Sequence, residues 1–136
     1  MDVTKDASAP IQSSLDVVKI RQMVREWTIS LGFSLVDQTK MITAASELAR
    51  NVLEHGGGGE VKLEALNNVN RRGLRVTFSD QGAGMADVEQ ALKDGFSTGS
   101  GMGLGLGGAK RLVNDFSIDS APGRGTRVTI VRWRPT

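Results

Sequence analysis

Six of the ten residues from 99 to 108 are glycine, and Met102, Leu104 and Leu106 are interleaved with them. Glycine loses more backbone freedom on folding than any other residue, so this density indicates positive φ angles or close approach to another group. A flexible linker fits poorly, because linkers are Gly/Ser mixtures without regularly placed apolar residues. The aliphatic stretch that follows predicts a helix to about Asn114, whose first amides suit an anion such as phosphate.

Two familiar nucleotide-binding patterns do not fit this segment. Gly103, Gly105 and Gly108 satisfy G-x-G-x-x-G, but that fingerprint needs a strand directly before it and an acidic residue about 20 positions after it. Residues 94–100 are polar and turn-like, and residues 124–127 contain no acid. The sequence also lacks G-x-x-x-x-G-K-[ST], so it contains no P-loop.

Size and composition limit the class of protein. The 136 residues predict one domain, 1–136, with a core of its own. The net charge is only +2 and the basic residues are scattered, so no nucleic-acid partner is expected. The absence of cysteine excludes thiolate chemistry and fits a reducing cytoplasm. No segment approaches the ~18 apolar residues of a membrane span, so we expect a cytoplasmic protein with no membrane partner.

Hydrophobic periodicity predicts the first elements. We expect residues 1–8 to be flexible and residues 11–15 to form a short strand. A helix with apolar residues at helical spacing should follow and end at Gly32. A second helix, at about residues 35–53, should end at the glycine run 56–59, which we expect to be a mobile turn.

Two hairpins are predicted in the second half of the chain. Apolar residues alternate on both sides of residues 67–73, which predicts an antiparallel hairpin. A short helix is expected near residues 87–93. Residues 116–120 and 127–133, on either side of a turn at Pro122, should form a closing hairpin. This order predicts an α+β fold, a two-layer sandwich with helices on one face of a mostly antiparallel mixed sheet.

Two short patterns carry polar groups suited to chemistry. Glu47 and Asn51 are four residues apart on the second predicted helix, so they project from one face, and His55 continues that stripe. A carboxylate beside an amide oxygen suits proton transfer next to a hard cation, although a solvated helix face explains the pair by itself. Asp80, followed by Gly82 and Gly84, is likewise either a site or an ordinary turn at the end of a strand.

Four segments in order resemble the N, G1, G2 and G3 boxes of the GHKL ATPase superfamily. They are ELARN at 47–51, DQGAG at 80–84, GSGMGLGL at 99–106 and GRGT at 123–126. The resemblance spans about residues 10–134 and implies the Bergerat ATP-binding fold. The segments DGFSTG and GLGLGGAKRLV, which begin at Asp94 and Gly103, are similar to bacterial anti-sigma regulator serine/threonine kinases, in particular the RsbT-type switch kinases of stressosome modules.

The resemblance implies a role for each matching residue. Glu47 would be the general base that accepts a hydroxyl proton, and Asn51 would give its amide oxygen to Mg²⁺. Asp80 would accept a hydrogen bond from the exocyclic amine of adenine with support from Thr126, which selects against the carbonyl of guanine. The remaining implied ATP contacts are Gly82, Gly84, Gly99, Gly101, Met102, Gly103, Leu104, Gly105 and Leu106.

The glycine-rich segment would then close over the triphosphate as a lid. His55, Lys110 and Arg111 are additional candidates for phosphate contacts, with a structural role as the alternative for His55. A phosphohistidine role is disfavoured, because histidine kinases carry that residue on a separate dimerisation domain.

The implied function is that of an ATP-dependent serine/threonine protein kinase, with ATP and Mg²⁺ as cofactors. It would phosphorylate a STAS-domain partner and switch partners in a bacterial stress or sigma-factor pathway, with a PP2C-type phosphatase as a further candidate partner. The alternative is an ATP-binding anti-sigma factor or phosphatase-activating module without significant kinase activity, which the presence of Glu47 disfavours. An isolated histidine-kinase catalytic domain is a second, less favoured alternative.

Overall fold

The computed structural model describes residues 1–92 and 105–134. Its elements in chain order are β1 (Asp2–Ile11), α1 (Ser14–Ser30), α2 (Leu35–Gly56), β2 (Gly59–Asn68), β3 (Arg71–Asp80), α3 (Val88–Ala91), α4 (Gly105–Arg111), β4 (Asp115–Ser120) and β5 (Thr126–Trp133). The strands form one sheet in the order β1-β2-β3-β5-β4, and each neighbouring pair in it is antiparallel. This architecture confirms the predicted α+β class.

The N-terminal segment is a strand, so the expectation that residues 1–8 are flexible is wrong. β1 pairs with β2 from Asp2 opposite Asn67 to Ile11 opposite Gly59. Pairing with β2 holds this backbone although most of its side chains are exposed, and Ala7 and Ala9, which pack against the core, are too small to give a strong apolar pattern. Lys5 adds a cation–π contact, with its Nζ 4.4 Å from the centroid of the Trp27 ring.

Serine caps fix the starts of the two long helices. The Ser13 hydroxyl accepts a hydrogen bond from the Asp16 amide and so starts α1 at Ser14. Ser34 does the same for α2. Such caps satisfy amides that have no partner inside the helix. The expected strand over 11–15 is therefore wrong beyond Ile11, because the chain turns into α1 at that point.

The hydrophobic core lies between the helices and one face of the sheet. Inward-facing strand residues such as Val61, Val76 and Ile130 are completely buried. They belong to one cluster with Met41 and Leu48 of α2. The predicted layering of helices on one sheet face is therefore confirmed. Across the described ranges, no helix has both the length and the apolar character that crossing a membrane requires.

Both predicted hairpins are present, as β2–β3 and β4–β5. The short helix expected near 87–93 is α3, and α4 packs against α2. α2 also packs against β3, so the helix layer meets the sheet along these two elements.

Candidate functional site

The end of α2, the end of β3 and the start of β5 meet at one end of the sheet. Asp80, the last residue of β3, is paired with Thr126 on one side and with Gly59 on the other. A Cβ atom added to Gly56, the last residue of α2, would lie only 2.4 Å from Cγ of Asp80. The structure thus brings the last residue of α2 close to Asp80 of the G1 segment, which is paired with Thr126 of the G3 segment.

Asp80 is held in one orientation by the turn that follows it. Its Oδ1 accepts a hydrogen bond of 2.8 Å from the amide of Gly82, as in an Asx turn. No donor from the described parts of the chain hydrogen-bonds to Oδ2. At Gly84 the backbone has φ of +76°, and a Cβ there would lie 1.9 Å from the carbonyl oxygen of Ala121. The turn therefore requires glycine at 84 and fixes the carboxylate of Asp80, whose Oδ2 lies on the side of Gly56.

Glycines in the run 56–59 have specific structural roles, which the expectation of a mobile turn did not include. Gly57 caps the C-terminus of α2 in the left-handed conformation, with φ of +71°. A Cβ at Gly59 would lie 2.0 Å from the carbonyl oxygen of Ser79. Together with Gly56, these glycines let the end of α2 approach β3. Sequence reasoning missed Gly56, although a glycine that ends the helix of Glu47 was the available signal.

Glu47 lies in α2 and is only 8% exposed. Its Oε1 accepts a hydrogen bond of 3.0 Å from the amide of Gly105, the first residue of α4. Its Oε2 is 3.4 Å from Nη1 of Arg50. The predicted base is therefore buried, paired with a cation and in contact with Gly105 of the glycine-rich segment.

Asn51 and His55 occupy the next turns of α2. Asn51 is half-buried, and the predicted spacing of one turn from Glu47 is present. The His55 side chain is 41% exposed, and its Nε2 is 3.9 Å from Oε2 of Glu54. The metal-binding role of Asn51 and a phosphate contact of His55 both stay predictions.

Other predicted site residues are in different surroundings. Leu106 is 6% exposed and belongs to the hydrophobic core, so any contact with a nucleotide would involve its backbone. Lys110 and Arg111 are exposed in the last turn of α4, about 8–9 Å along the axis from its first residue, and their phosphate contacts stay untested. The predicted contacts outside the described residues are Gly99, Gly101, Met102, Gly103 and Leu104.

Ser120 is a polar residue of the site that sequence reasoning missed. Its Oγ is 2.8 Å from Oγ1 of Thr126 and accepts a hydrogen bond of 2.9 Å from the amide of Met85. An open cavity of about 240 Å³ lies at this end of the sheet. Its lining includes Asp80, Ser120 and Thr126, and also Ser79, Asp119 and Arg127 from the neighbouring row of the same strands. The signal in the sequence was the position of Ser120 at the end of a predicted strand, directly before the turn.

An ion pair ties α2, α4 and β5 together. Arg132 of β5 contacts the carboxylate of Asp37 in the first turn of α2. It also donates a hydrogen bond of 2.8 Å to the carbonyl oxygen of Leu112, just after α4. The hydrogen bond from Arg132 holds the pKa of Asp37 below its usual value. No sequence pattern indicates this pair, because its two residues are 95 positions apart along the chain.

Comparisons with known proteins identify the family of this chain. The model of the family of histidine kinase-, DNA gyrase B-, and HSP90-like ATPases (HATPase_c) matches residues 36–136. The chain is 41% identical over 123 residues to serine/threonine-protein kinase RsbT of Bacillus subtilis (strain 168), covering 90% of this chain and 92% of that protein. It is 28% identical over 119 residues to the anti-sigma F factor of the same strain, covering 82% and 80%.

Solved structures support the fold. The RsbU and RsbW domains of a Mycobacterium tuberculosis protein superpose with a TM-score of 0.66 and 22% identity, covering 98% of this chain and 33% of that one. The mycobacterial sensor histidine kinase MprB gives a TM-score of 0.56 and 19% identity, covering 97% and 100%. With the sequence match over most of its length, the chain belongs to the family of histidine kinase-, DNA gyrase B-, and HSP90-like ATPases.

Proposed function

We propose that this protein is an ATP-dependent serine/threonine protein kinase that phosphorylates a STAS-domain partner and changes partners in a bacterial sigma-factor pathway. The observation that carries the proposal is the buried carboxylate of Glu47, which contacts the first residue of α4 and lies one turn from Asn51. The identity of 41% to the B. subtilis serine/threonine-protein kinase RsbT supports the same reaction.

Adenine recognition would depend on Asp80. With Oδ1 bound to the amide of Gly82, Oδ2 can accept a hydrogen bond from the exocyclic amine of adenine. Guanine has a carbonyl at that position, which would place two acceptors against each other and leave the carboxylate without a donor. The site therefore favours ATP over GTP.

Phosphoryl transfer would use Glu47 as the proton acceptor. The serine or threonine oxygen of the partner forms a bond to the γ-phosphorus, its proton passes to Glu47, and the bond to the β-phosphate oxygen breaks to release ADP. Asn51 would hold Mg²⁺, which would supply charge neutralisation. The half-buried amide oxygen of Asn51 is a hard donor one helical turn from Glu47, and Mg²⁺ takes few protein ligands.

The acceptor hydroxyl would arrive on a folded protein that docks beside α4. Docking makes the transfer effectively unimolecular, so it supplies positioning that a free peptide lacks. The negative charges added by phosphorylation then weaken the complex through repulsion and desolvation. Release of the phosphorylated partner would leave this protein available for a second one, and a phosphatase of the same pathway is the proposed candidate.

A binding module is the second candidate function, favoured by the 28% identity to an anti-sigma F factor. To separate the two, the full chain is mixed with Mg²⁺, ATP and a candidate STAS protein, and intact mass and size-exclusion elution are followed together. If the protein is a kinase, the STAS protein gains the mass of one phosphate and is then released from the complex. A stable complex without any gain in mass would refute kinase activity and support the binding module.

A further inference from the structure

We propose that Ser120 is a positioning residue for adenine selectivity, because it turns the Thr126 hydroxyl into a hydrogen-bond acceptor toward the site. This inference rests on the proposed nucleotide site and deepens it. Ser120 itself does not contact the base in the proposal. It acts through Thr126, whose oxygen is 2.8 Å from its own.

Asp80, Thr126 and Ser120 form one row across three strands. Asp80 is the register partner of Thr126, and Thr126 is the register partner of Ser120. Phe78 lies two positions before Asp80 on β3, and Val128 lies two positions after Thr126 on β5. These two residues are paired with each other and buried in the core. Because side chains alternate along a strand, Asp80 and Thr126 lie on the core-facing side as well. This row of polar residues therefore borders the hydrophobic core on the same face of the sheet.

The hydrogen bonds of Ser120 determine where its single proton goes. A hydroxyl has one donor and two acceptor positions. One acceptor position of Ser120 is taken by the amide of Met85 at 2.9 Å. Its proton reaches the carbonyl oxygen of Gly125 at 3.2 Å, and Gly125 is buried. Because a buried carbonyl needs a donor, this is the arrangement that satisfies all groups.

The direction of the Thr126 hydroxyl follows from that count. With the Ser120 proton directed at Gly125, the close contact of 2.8 Å requires Thr126 to donate its own proton to Ser120. Thr126 then has only lone pairs left for the site. Together with the carboxylate of Asp80, the site presents two acceptors to one ligand group. An amine with two N–H donors satisfies both, whereas a carbonyl satisfies neither.

The test compares binding of ATP with binding of inosine triphosphate, in which a carbonyl replaces the amine. Equilibrium dialysis with radiolabelled nucleotide gives the ratio of the two affinities. In Ser120→Ala, Thr126 regains a free proton that it can donate to the carbonyl, so we expect the ATP preference to fall about fivefold, the worth of one neutral hydrogen bond. Ser120→Thr keeps a hydroxyl and should keep the preference, as should Ser117→Ala on the exposed face of β4.

A double-mutant cycle shows whether Ser120 acts through Thr126. In the Thr126→Val background, Ser120→Ala should change the affinity ratio no further. A purely structural role would lower both affinities equally and leave the ratio unchanged, which would overturn the inference. An equal fall of the ratio in both backgrounds would overturn it as well. If Ser120→Ala does not fold, Ser120→Cys provides the measurement, since a thiol is only a weak donor.

The proposed site is tested separately by Asp80→Asn. If that variant binds ATP as tightly as the wild type, the nucleotide site itself is wrong. If Asp80→Asn weakens ATP binding and Ser120→Ala leaves the ratio unchanged, only the role of Ser120 is refuted.

Discussion

Oε1 of Glu47 accepts a hydrogen bond from the amide of Gly105 at 3.0 Å, so the proposed base directly contacts the first residue of α4. Gly105 has φ of +72°, a backbone conformation that residues other than glycine rarely adopt. The same carboxylate therefore serves two purposes, because it fixes the start of α4 and is the group proposed to take the proton. Variants at Glu47 have to separate these purposes.

Glu47→Gln makes that separation. A glutamine carbonyl can still accept the hydrogen bond from Gly105 but is a very weak proton acceptor. We expect phosphotransfer to fall by about 10²- to 10⁴-fold, with ATP affinity nearly unchanged. Single-turnover transfer to the partner protein measures the rate, and Glu54→Gln on the exposed part of α2 is the matched control. Transfer at close to the wild-type rate would rule out Glu47 as the base.

Asp80→Asn tests the adenine contact. The substitution removes the charge of the acceptor and adds N–H donors, so ATP binding should weaken by roughly 1.5–3 kcal/mol and the preference over GTP should decline. Calorimetric titration with each nucleotide gives both values. Asp6→Asn on β1 is the control for loss of one negative charge away from the site. Unchanged ATP affinity would mean that the pocket lies elsewhere.

Gly56→Ala tests the close approach of α2 to β3. Its new Cβ would lie 2.4 Å from Cγ of Asp80, so the carboxylate must move and ATP affinity should drop at least tenfold, or by about 1.4 kcal/mol. Gly57→Ala is a useful contrast, because it has open space around the Cβ but φ of +71°. It should cost about 1–2 kcal/mol of folding stability and leave ATP affinity unchanged. Equal nucleotide affinities in the two variants would contradict this account.

The ion pair between Asp37 and Arg132 gives stability a pH dependence. The hydrogen bond from Arg132 lowers the pKa of Asp37 in the folded state. The ion pair therefore stabilises the folded state fully above the unfolded pKa of about 3.9, and this stabilisation is lost as the pH falls through the folded pKa. Asp37→Asn should therefore lower stability by about 1.5–3 kcal/mol at neutral pH.

Urea unfolding of the wild type and of Asp37→Asn from pH 7 down to pH 3 measures this effect. The difference between the two proteins should narrow as the pH falls below about 4. The control is Thr39→Ala, on the exposed side of the same turn. Gln38→Glu would not serve as a control, because it adds a charge. If the difference in unfolding free energy between the two proteins is the same at every pH, the ion pair does not account for that difference.

A folded acceptor should be required for phosphorylation. We expect a short peptide with the acceptor serine to be phosphorylated at least 10²-fold more slowly than the intact partner, because docking supplies the positioning. The measurement compares kcat/KM for the two under the same Mg²⁺ and ATP concentrations. Efficient phosphorylation of the peptide would refute the docking requirement while leaving kinase activity intact.

Local patterns predicted much of the fold. The hairpins and α2 were predictable because their apolar residues alternate or recur every turn, and the spacing of Glu47 and Asn51 follows from helix geometry alone. β1 was missed because it is held mainly by backbone pairing with β2, and the small residues that it packs against the core, Ala7 and Ala9, give only a weak apolar pattern. Gly56 and Ser120 were missed because their roles depend on contacts with Asp80 and Thr126, on other strands of the sheet.

β1 also determines how this protein behaves toward other copies of itself. The outer strand of a sheet has unpaired N–H and C=O groups that invite a neighbouring chain to add a strand. β1 carries Asp2, Lys5 and Asp6, and Pro10 lacks an N–H to donate. Its register with β2 shifts between Val3 and Lys5. Charge, proline and irregular register all discourage such addition, so this polar strand contributes to colloidal stability even though it buries little apolar surface.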